Sequence, residues 1–382
     1  MGFHEFSSPY DWSRIAAYKR TAKAAFGGMI DLSGGSPVDP VPDSVRKALA
    51  VAANDPNAYG YPATAGTADL RAAIAEWFSA TRNVDLQAIH ADVVPTVGSK
   101  EGVALMASLL HFGEDDVVVQ PKVSYPTYEI GTQLAGAQVL KVDDVADVAS
   151  WRNVPGVKAV WVNSPCNPTG EVYSAERMAG IVAAVREIGA VVLSDECYAL
   201  MQWRGATNSA DDDPLQSTPC ALRSDVCAGS AEGVLVLYSL SKQSNMAGYR
   251  TAFIAGDESL IASMSAYRKQ IGQIIPGPVQ AAMAAGLRDL ESVKVQHVRY
   301  RERLGVLVSA LRAYGYCTDM PDGALYVWVR AKSGDCWTDM EQLAKIGIIA
   351  SPGEFYGAPE CLRFSATASD EAIASAAERL AR

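Results

Sequence analysis

The chain has 382 residues, of which 49% are hydrophobic and 20% charged, a balance typical of a soluble globular enzyme with one large domain or two that share a core. Its 33 basic and 43 acidic residues give a formal net charge of −10, which argues against nucleic acid as a partner because phosphate binding needs a positive surface. Seven cysteines without a C-x-x-C pair indicate reduced thiols, and four histidines, none paired at metal-ligand spacing, predict no metal site.

The N-terminal segment, MGFHEFSSPYDWSRIAAYKR, carries early acidic residues and no long apolar run, so it predicts no signal peptide. No other apolar stretch is long enough to span a bilayer. We therefore expect a cytoplasmic protein that has no membrane partner.

The middle of the chain alternates short apolar runs with helix-like segments, which is typical of a mostly parallel sheet covered by helices. Residues 175–188 predict one of these helices, because Met178, Ile181 and Val185 recur at helical spacing. The stretch 204–233 is polar and rich in turn formers, and it predicts a long excursion from the sheet. The predicted strands are 116–119, 158–162, 190–193, 234–237 and 251–254.

The character of the chain changes after the segment IIPGPVQ at 274–280. A long helical pattern to about residue 310, two strands at 325–329 and 348–350 and a terminal helix from about residue 369 predict a smaller α+β domain. The predicted division is an N-terminal arm over 1–40 that packs on the small domain, a large domain over 41–275 and the small domain over 276–382.

Polar residues follow several of the predicted strands, where ligands bind in sheets of this kind. Asp195 follows the strand at 190–193, Lys242 follows the strand at 234–237, and Asn167 lies in NSPCNPTG after the strand at 158–162. The segment 98–100, Gly-Ser-Lys, begins a predicted helix whose free backbone N–H groups suit a phosphate.

Together these residues suit pyridoxal phosphate, which needs an amine for a Schiff base, an acid at its ring nitrogen and a phosphate cradle. Lys242 supplies the amine and Asp195 the acid. Each residue alone has a structural explanation, such as a solvated loop lysine or a turn cap, and their order along the chain is what favours function. The predicted phosphate ligands are Gly98, Ser99, Lys100, Ser239, Ser241 and Arg250.

An ordered series of motifs, GSKEG, YPTY, NSPCNPTG, SDECY, SLSK, AGYR and LRFS, resembles the class I/II aminotransferases, the fold-type-I pyridoxal-phosphate enzymes of the aspartate aminotransferase superfamily. The resemblance runs from residue 31 to residue 369. It implies an α/β fold with a mostly parallel seven-stranded sheet between helices, a smaller α+β domain, and transamination between an amino acid and 2-oxoglutarate or glutamate.

The same resemblance implies further site residues. Tyr125 would stack on the cofactor ring, and Asn167 and Tyr198 would hydrogen-bond its phenolic oxygen. Arg363 would clamp the substrate α-carboxylate, with Asn167 beside it and the Gly35 backbone opposite. Tyr61 resembles the tyrosine that reaches the phosphate in the partner subunit, which implies a homodimer with shared active sites.

The substrate is predicted less directly. Stretches such as DLSGGSPVDPVP, DECYALMQW and SPGEFYG are similar to actinobacterial N-succinyldiaminopimelate aminotransferases of lysine biosynthesis. An aminotransferase for aspartate, alanine or an aromatic amino acid, or a pyridoxal-phosphate C–S β-lyase, would keep the same constellation. Segment 8–20, with Tyr10 and Trp12, is predicted either to cover the site or simply to dock on the small domain.

Overall fold

The computed structural model describes residues 10–203, 215 and 217–381 of the chain. Its helices are α1 Ala16–Ala24, α2 Asp43–Ala52, α3 Ala68–Trp77, α4 Ser99–Leu109, α5 Thr127–Leu134, α6 Ala175–Glu187, α7 Leu240–Gln243, α8 Glu258–Gln270, α9 Gly277–Arg288, α10 Leu290–Ala313, α11 Cys336–Lys345 and α12 Asp370–Leu380. Among these residues, no helix combines the length and the apolar character that a membrane span requires.

The strands are β1 Ile30–Asp31, β2 Ala91–Val97, β3 Val117–Pro121, β4 Gln138–Val142, β5 Val157–Asn163, β6 Val191–Asp195, β7 Val234–Ser239, β8 Thr251–Asp257, β9 Tyr326–Arg330, β10 Ile348–Ile349, β11 Ser351–Pro352 and β12 Cys361–Ser365. Seven of them form one sheet in the order β2-β8-β7-β6-β5-β3-β4. Only β8 runs against its neighbours in this sheet, because β2 and β7 both pair with it antiparallel while the other pairs are parallel. The fold is α/β with a mostly parallel seven-stranded sheet, as predicted.

Apolar side chains cover both faces of this sheet. Along β7, Val234, Val236 and Tyr238 belong to one hydrophobic cluster, while Leu235 and Leu237 belong to another on the opposite face. This alternation is what a strand buried on both faces requires, and it explains why β7 reads as a continuous apolar run in the sequence.

The five strands predicted in the middle of the chain are confirmed as β3, β5, β6, β7 and β8, and the predicted helix at 175–188 is α6. The sequence patterns missed β2 and β4, the two edge strands. Pro95 interrupts the pattern of β2, which tolerates a proline because it lies at an edge. In β4, only Val142 is buried.

The long helical pattern predicted after residues 274–280 is confirmed as helix, but the pattern did not show where it is interrupted. The segment forms two helices, α9 and α10, and Asp289 lies between them. Its carboxylate accepts a hydrogen bond from the Ser292 backbone N–H at 3.0 Å, which caps the start of α10. The predicted terminal helix is confirmed as α12, capped by Ser369.

The C-terminal strands form a three-stranded sheet in the order β11-β12-β9. The predicted strand at 348–350 is confirmed for its first two residues as β10, which pairs in parallel with β1. The separate strand β11 follows it and joins the three-stranded sheet. The β1–β10 pair and packing of α1 against α11 join the segment around residues 16–31 to the C-terminal part of the chain. The division into parts at residues 40 and 275 stays a prediction.

Much of the stretch predicted as an excursion, residues 204–214 and 216, lies outside the described residues. The described part from 217 to 233 contains no strand and packs into the protein, with Thr218, Cys220 and Leu222 buried. The carbonyl of Thr218 accepts a hydrogen bond at 2.8 Å from Arg82, which also pairs with Glu196 in an ion pair that is almost fully shielded from solvent. This stretch therefore helps to fix the position of Glu196, the residue that follows Asp195, through Arg82.

Candidate active site

A cavity of about 410 Å³ opens at the carboxyl ends of β5, β6 and β7, beside the start of β8. Val97 at the end of β2 pairs with Thr251 at the start of β8, and Ser239 at the end of β7 pairs with Ala252. Because β8 runs against the other strands, Arg250 at its start meets residues at their carboxyl ends. The cavity is lined by Tyr10, Trp12, Gly35, Ser36, Ser99, Lys100, Tyr125, Asn167, Asp195, Cys197, Tyr198, Ser239, Ser241, Lys242, Ala247, Arg250, Tyr326, Tyr356 and Arg363.

Of the site residues predicted within one chain, only Gly98 is not among those that line this cavity, and it lies directly behind Arg250. Tyr61, predicted to act in the partner's site, is fully exposed and does not line the cavity. The cavity brings the other predicted residues together from segments more than 300 positions apart.

Lys242 is half-buried at the base of the cavity, in the short helix α7, and its Nζ donates a hydrogen bond to the Gly35 carbonyl. Removal from water lowers the pKa of Lys242, and the neighbouring Arg363 charge lowers it further, while the Tyr326 phenol opposes the shift. No carboxylate among the described residues lies within salt-bridge distance of this amine. A larger fraction of Lys242 is therefore neutral and nucleophilic than for a lysine in water.

Asp195 is buried at the end of β6. Its Oδ2 accepts a hydrogen bond from the Tyr128 hydroxyl at 2.7 Å, and its Oδ1 accepts one from the Cys197 backbone N–H at 3.2 Å. Burial raises the pKa of Asp195, and these two hydrogen bonds oppose the rise. Within the described part of the chain, no lysine or arginine forms an ion pair with Asp195, and a buried carboxylate of this kind suits a protonated ring nitrogen.

Donors gather at one end of the cavity. The hydroxyls of Ser239 and Ser241 lie 2.8 Å apart, and the Arg250 guanidinium donates to the Ala247 carbonyl at 2.8 Å. The helix α4 begins beside them at Ser99, with Gly98 at its N-cap. Hydroxyls, a guanidinium and a helix N-terminus together form a site for a phosphate group.

Gly98 is required for this arrangement. It has φ = 78°, in the left-handed region, and a Cβ at this position would overlap the Arg250 guanidinium. The glycine therefore allows Arg250 to lie against the turn before α4.

Arg363 lies opposite, in β12, and is buried. Its Nη1 donates to the Asn167 side-chain oxygen and its Nη2 to the Ser33 carbonyl, both at 2.8 Å. Its Nε has no hydrogen-bond partner among the described residues. A buried guanidinium with an unsatisfied N–H and no carboxylate beside it suits a carboxylate ligand.

Other residues of the cavity were not predicted from the sequence. Tyr326 and Tyr356 come from β9 and the turn after β11, and both are buried against Arg363, whose Cζ lies 3.9 and 4.8 Å from their ring centroids. Cys197 lies two residues after Asp195 in the chain, and burial raises the pKa of its thiol far above the usual value. No local pattern distinguishes such residues from core aromatics and thiols, because their place in the cavity depends on contacts between distant segments.

The N-terminal segment covers one side of the cavity. Tyr10, Trp12 and Phe355 pack edge to face, with centroids 5.2 to 5.7 Å apart. The segment also docks, through an ion pair between Arg14 and Glu354. Covering and docking were predicted as alternatives, and from Tyr10 onward the segment does both; residues 8 and 9 lie outside the described residues.

Residues 27–380 match the family Aminotransferase class I and II. The 4-dedimethylamino-4-oxo-anhydrotetracycline transaminase OxyQ of Streptomyces rimosus is 40% identical over 373 residues, which cover 97% of this chain and 98% of that one. An LL-diaminopimelate aminotransferase of Syntrophobacter fumaroxidans is 28% identical over 389 residues, covering 97% and 95%. The structure of a probable N-succinyldiaminopimelate aminotransferase from Thermus thermophilus has a TM-score of 0.84 at 26% identity, covering 97% and 99%.

The chain belongs to the class I and II aminotransferases, enzymes that use pyridoxal phosphate and act on amino and keto acids. The residues that line the cavity also have the chemical groups that this cofactor needs. It offers an amine with a lowered pKa at Lys242, a buried carboxylate at Asp195 and a cradle of phosphate donors beside Gly98.

We predict that Gly98→Ala weakens binding of pyridoxal phosphate by roughly tenfold or more. The new Cβ imposes backbone strain of about 1–2 kcal/mol and displaces Arg250, and about 1.4 kcal/mol corresponds to a factor of ten. Fluorescence titration of the cofactor-free protein measures the affinity. Gly248→Ala, two residues before Arg250 and with open space around it, is the matched control and should bind normally. Equal affinities for the two variants would contradict this account of the cradle.

We also predict that Lys242→Met stabilises the cofactor-free protein at pH 7, and that the gain shrinks as pH rises toward 10. The pKa of Lys242 is lowered from 10.5 by burial, so the unfolded chain binds more protons than the folded one between the two pKa values. Wild-type stability therefore rises with pH through that window, and the variant lacks this rise. Urea unfolding at several pH values measures the difference.

Lys47→Met, on the exposed side of α2, controls for the loss of one lysine charge. If the gain from Lys242→Met is the same at pH 7 and pH 10, the amine is not withdrawn from water as described.

Proposed function

We propose that this chain is an aminotransferase that takes its amino group from N-succinyl-LL-2,6-diaminopimelate and passes it to 2-oxoglutarate, which becomes glutamate. The observation that carries the proposal is a cavity with a nucleophilic lysine at its base, a buried guanidinium on one wall whose Nε has no partner among the described residues, and a further cation at its rim. The similarity to a probable N-succinyldiaminopimelate aminotransferase and to an LL-diaminopimelate aminotransferase supports this donor.

Lys242 and Asp195 would hold the two ends of the cofactor's reactive ring. Asn167 and Tyr198 would donate to its phenolic oxygen, and Tyr125, half-buried beside Tyr128, would pack on its face. When bound, pyridoxal phosphate supplies an electron sink that acidifies the hydrogen on the substrate's α carbon. The phosphate would lie among Gly98, Ser99, Ser239, Ser241 and Arg250. Lys100, which the sequence placed with them, is assigned to the substrate instead, as argued below.

Arg363 would bind the α-carboxylate of each substrate, using the Nε hydrogen that has no partner among the described residues. Asn167 accepts a hydrogen bond from Arg363 at 2.8 Å. The residue proposed to bind the substrate carboxylate is therefore linked directly to one proposed to bind the cofactor. Gly35 faces the same space, and its carbonyl already accepts from Lys242. The α carbon of a clamped substrate would thus lie near the Lys242 amine.

Lys242 would move the proton. Its neutral amine would take the proton from the substrate α carbon, and the ammonium so formed would then serve as the acid that gives this proton back. The lowered pKa of Lys242 favours the neutral form that begins this transfer. Tyr10 and Trp12 cover the cavity and would limit entry of water during the step.

Lys100 would recognise a distal carboxylate. It lies at the exposed rim of the cavity, with Nζ 5.5 Å from the ring centroid of Tyr10 and with no carboxylate partner among the described residues. Partial burial and the charge of Arg250 lower its pKa. An anionic partner would relieve this repulsion, and both 2-oxoglutarate and the succinyl group end in a carboxylate.

A second candidate is amino transfer to a ketone on a polycyclic ring system. It is favoured by the 40% identity to OxyQ, whose name describes such an acceptor, and by the aromatic wall of Tyr10, Trp12 and Tyr356. An aromatic wall binds flat rings well, whereas Lys100 would then have no anionic partner. The two candidates differ in the acceptor that restores the cofactor.

We further propose a cytoplasmic homodimer in which the partner's Tyr61 completes the phosphate site. Tyr59 and Tyr61 are both highly exposed, with relative accessible surfaces of 83% and 101%. Large aromatic side chains this exposed on neighbouring positions are typical of an interface.

The proposal predicts that glutamate and N-succinyl-LL-2,6-diaminopimelate each convert the visible absorption of the loaded enzyme to that of the aminated cofactor, with no acceptor present. If glutamate does so and the succinylated donor does not, the substrate proposal fails while the family stands. Restoration of the visible band by a polycyclic ketone, and not by 2-oxoglutarate, would favour the second candidate. Pyruvate formed from cystathionine without an acceptor would indicate a C–S lyase instead.

Lys100→Met should lower kcat/KM for glutamate and for the succinylated donor by roughly 10- to 100-fold, as expected for loss of a charged hydrogen bond of about 1.5–3 kcal/mol. The kcat/KM for alanine, which has no distal carboxylate, should change much less. Lys122→Met, an exposed lysine outside the cavity, is the matched control. An equal loss of kcat/KM for alanine would mean that Lys100 does not recognise the distal carboxylate.

A further inference from the structure

Tyr326 occupies a position between the residues proposed to bind the cofactor and those proposed to bind the substrate. It lies in β9, is 2% exposed, and its hydroxyl oxygen lies 2.6 Å from that of Tyr198. The two rings meet edge to face, with centroids 5.6 Å apart and an interplanar angle of 74°. At this distance the two hydroxyls share one hydrogen bond, and either could be its donor.

The surroundings of Tyr326 decide which hydroxyl donates. The Arg363 guanidinium lies over the Tyr326 ring, with Cζ 3.9 Å from its centroid, and the Lys242 amine faces the same phenol. Burial raises the pKa of Tyr326, but the charges of Arg363 and Lys242, together with the hydrogen bond to Tyr198, outweigh it and lower the pKa. Burial raises the pKa of Tyr198 far above its usual value, and the Arg363 charge opposes this rise only in part. The more acidic phenol is the better donor and the less acidic one the better acceptor.

The other groups that face this pair do not reverse the order. They are neutral in their ordinary states: the Cys197 thiol, whose pKa burial raises, and the phenols of Tyr125 and Tyr356, whose pKa values burial also raises. The two cations beside Tyr326 are therefore the dominant charges.

Gly35 holds the Tyr326 hydroxyl in place. A Cβ at position 35 would lie 2.5 Å from the Tyr326 oxygen and 3.6 Å from the Lys242 Nζ. The hydroxyl thus lies against the Gly35 backbone on one side and the Tyr198 hydroxyl on the other. Little freedom remains for its proton to point elsewhere.

We propose that Tyr326 is a positioning residue whose O–H donates to the Tyr198 oxygen, so that the Tyr198 O–H points into the cavity. A hydroxyl that accepts one hydrogen bond becomes a stronger donor through its own proton. Tyr326 therefore strengthens the hydrogen bond that Tyr198 gives to the cofactor's phenolic oxygen, and it makes that bond depend on the Arg363 cation above its ring. This inference rests on the role proposed for Tyr198.

The test is a pH titration of the visible absorption of the enzyme loaded with pyridoxal phosphate, without substrate. A hydrogen-bond donor to the phenolic oxygen stabilises the deprotonated form of the bound cofactor. Loss of that donor therefore moves the midpoint of the absorption titration to higher pH. We expect Tyr326→Phe to raise the midpoint by roughly half to one pH unit, the effect of one hydrogen bond. Tyr198→Phe should raise it more, and the double variant should match Tyr198→Phe alone, because Tyr326 acts only through Tyr198.

Tyr326→Phe keeps the ring beneath Arg363 and removes one oxygen, so unfolding by urea should show little loss of stability. Tyr356→Phe is the matched control, since Tyr356 also packs on Arg363 but its hydroxyl pairs with Ser351 at 3.2 Å rather than with Tyr198. Its midpoint should stay at the wild-type value.

The outcomes separate this inference from the proposal on which it rests. If Tyr198→Phe moves the midpoint and Tyr326→Phe does not, Tyr198 keeps its role and the inference about Tyr326 is wrong. If Tyr198→Phe has no effect, the proposed role of Tyr198 fails first. An additive shift in the double variant would show that Tyr326 acts directly and not through Tyr198, which also overturns the inference.

Discussion

The withdrawal of Lys242 from water, with no carboxylate of the described residues at ion-pair distance, is the constraint that gives the cavity its chemistry. An amine in this position loses hydration that an exposed lysine keeps, and its charged form is further disfavoured by Arg363. The charged form of this lysine therefore costs the folded protein stability. The arrangement is explained by the aldehyde cofactor of the family, which binds a neutral amine, and by the buried carboxylate of Asp195, which accepts hydrogen bonds and forms no ion pair with a described residue.

The topology of the sheet makes this arrangement possible. Because β8 alone runs against its neighbours, the residue before its first position meets the carboxyl ends of β2 and β7. Arg250 thereby joins the serines after β7 and the helix that begins after β2. Arg363, on the other side of the cavity, comes from β12, so the cavity requires both the large sheet and the C-terminal strands.

Much of the fold could be predicted from the sequence, because the buried strands are continuous apolar runs. Lys242, Asp195 and Asn167 could be singled out because they follow such runs, whereas Tyr125, Tyr198 and Arg363 were predicted only through the family resemblance. The edge strands β2 and β4 were missed, since an edge strand needs fewer apolar residues and tolerates Pro95. The break between α9 and α10 was missed because Asp289 lies within one continuous helical pattern. Tyr326 and the Arg82–Glu196 pair could not be predicted, as each depends on a partner more than 100 positions away.

Two lysines line the cavity, Lys242 at its base and Lys100 at its rim, and their proposed roles differ. Borohydride reduction of the enzyme loaded with pyridoxal phosphate, followed by peptide mass spectrometry, identifies the amine that carries the cofactor. We expect the added mass on the peptide that contains Lys242 and an unmodified Lys100. Modification at Lys100, or at no lysine in the cavity, would contradict it.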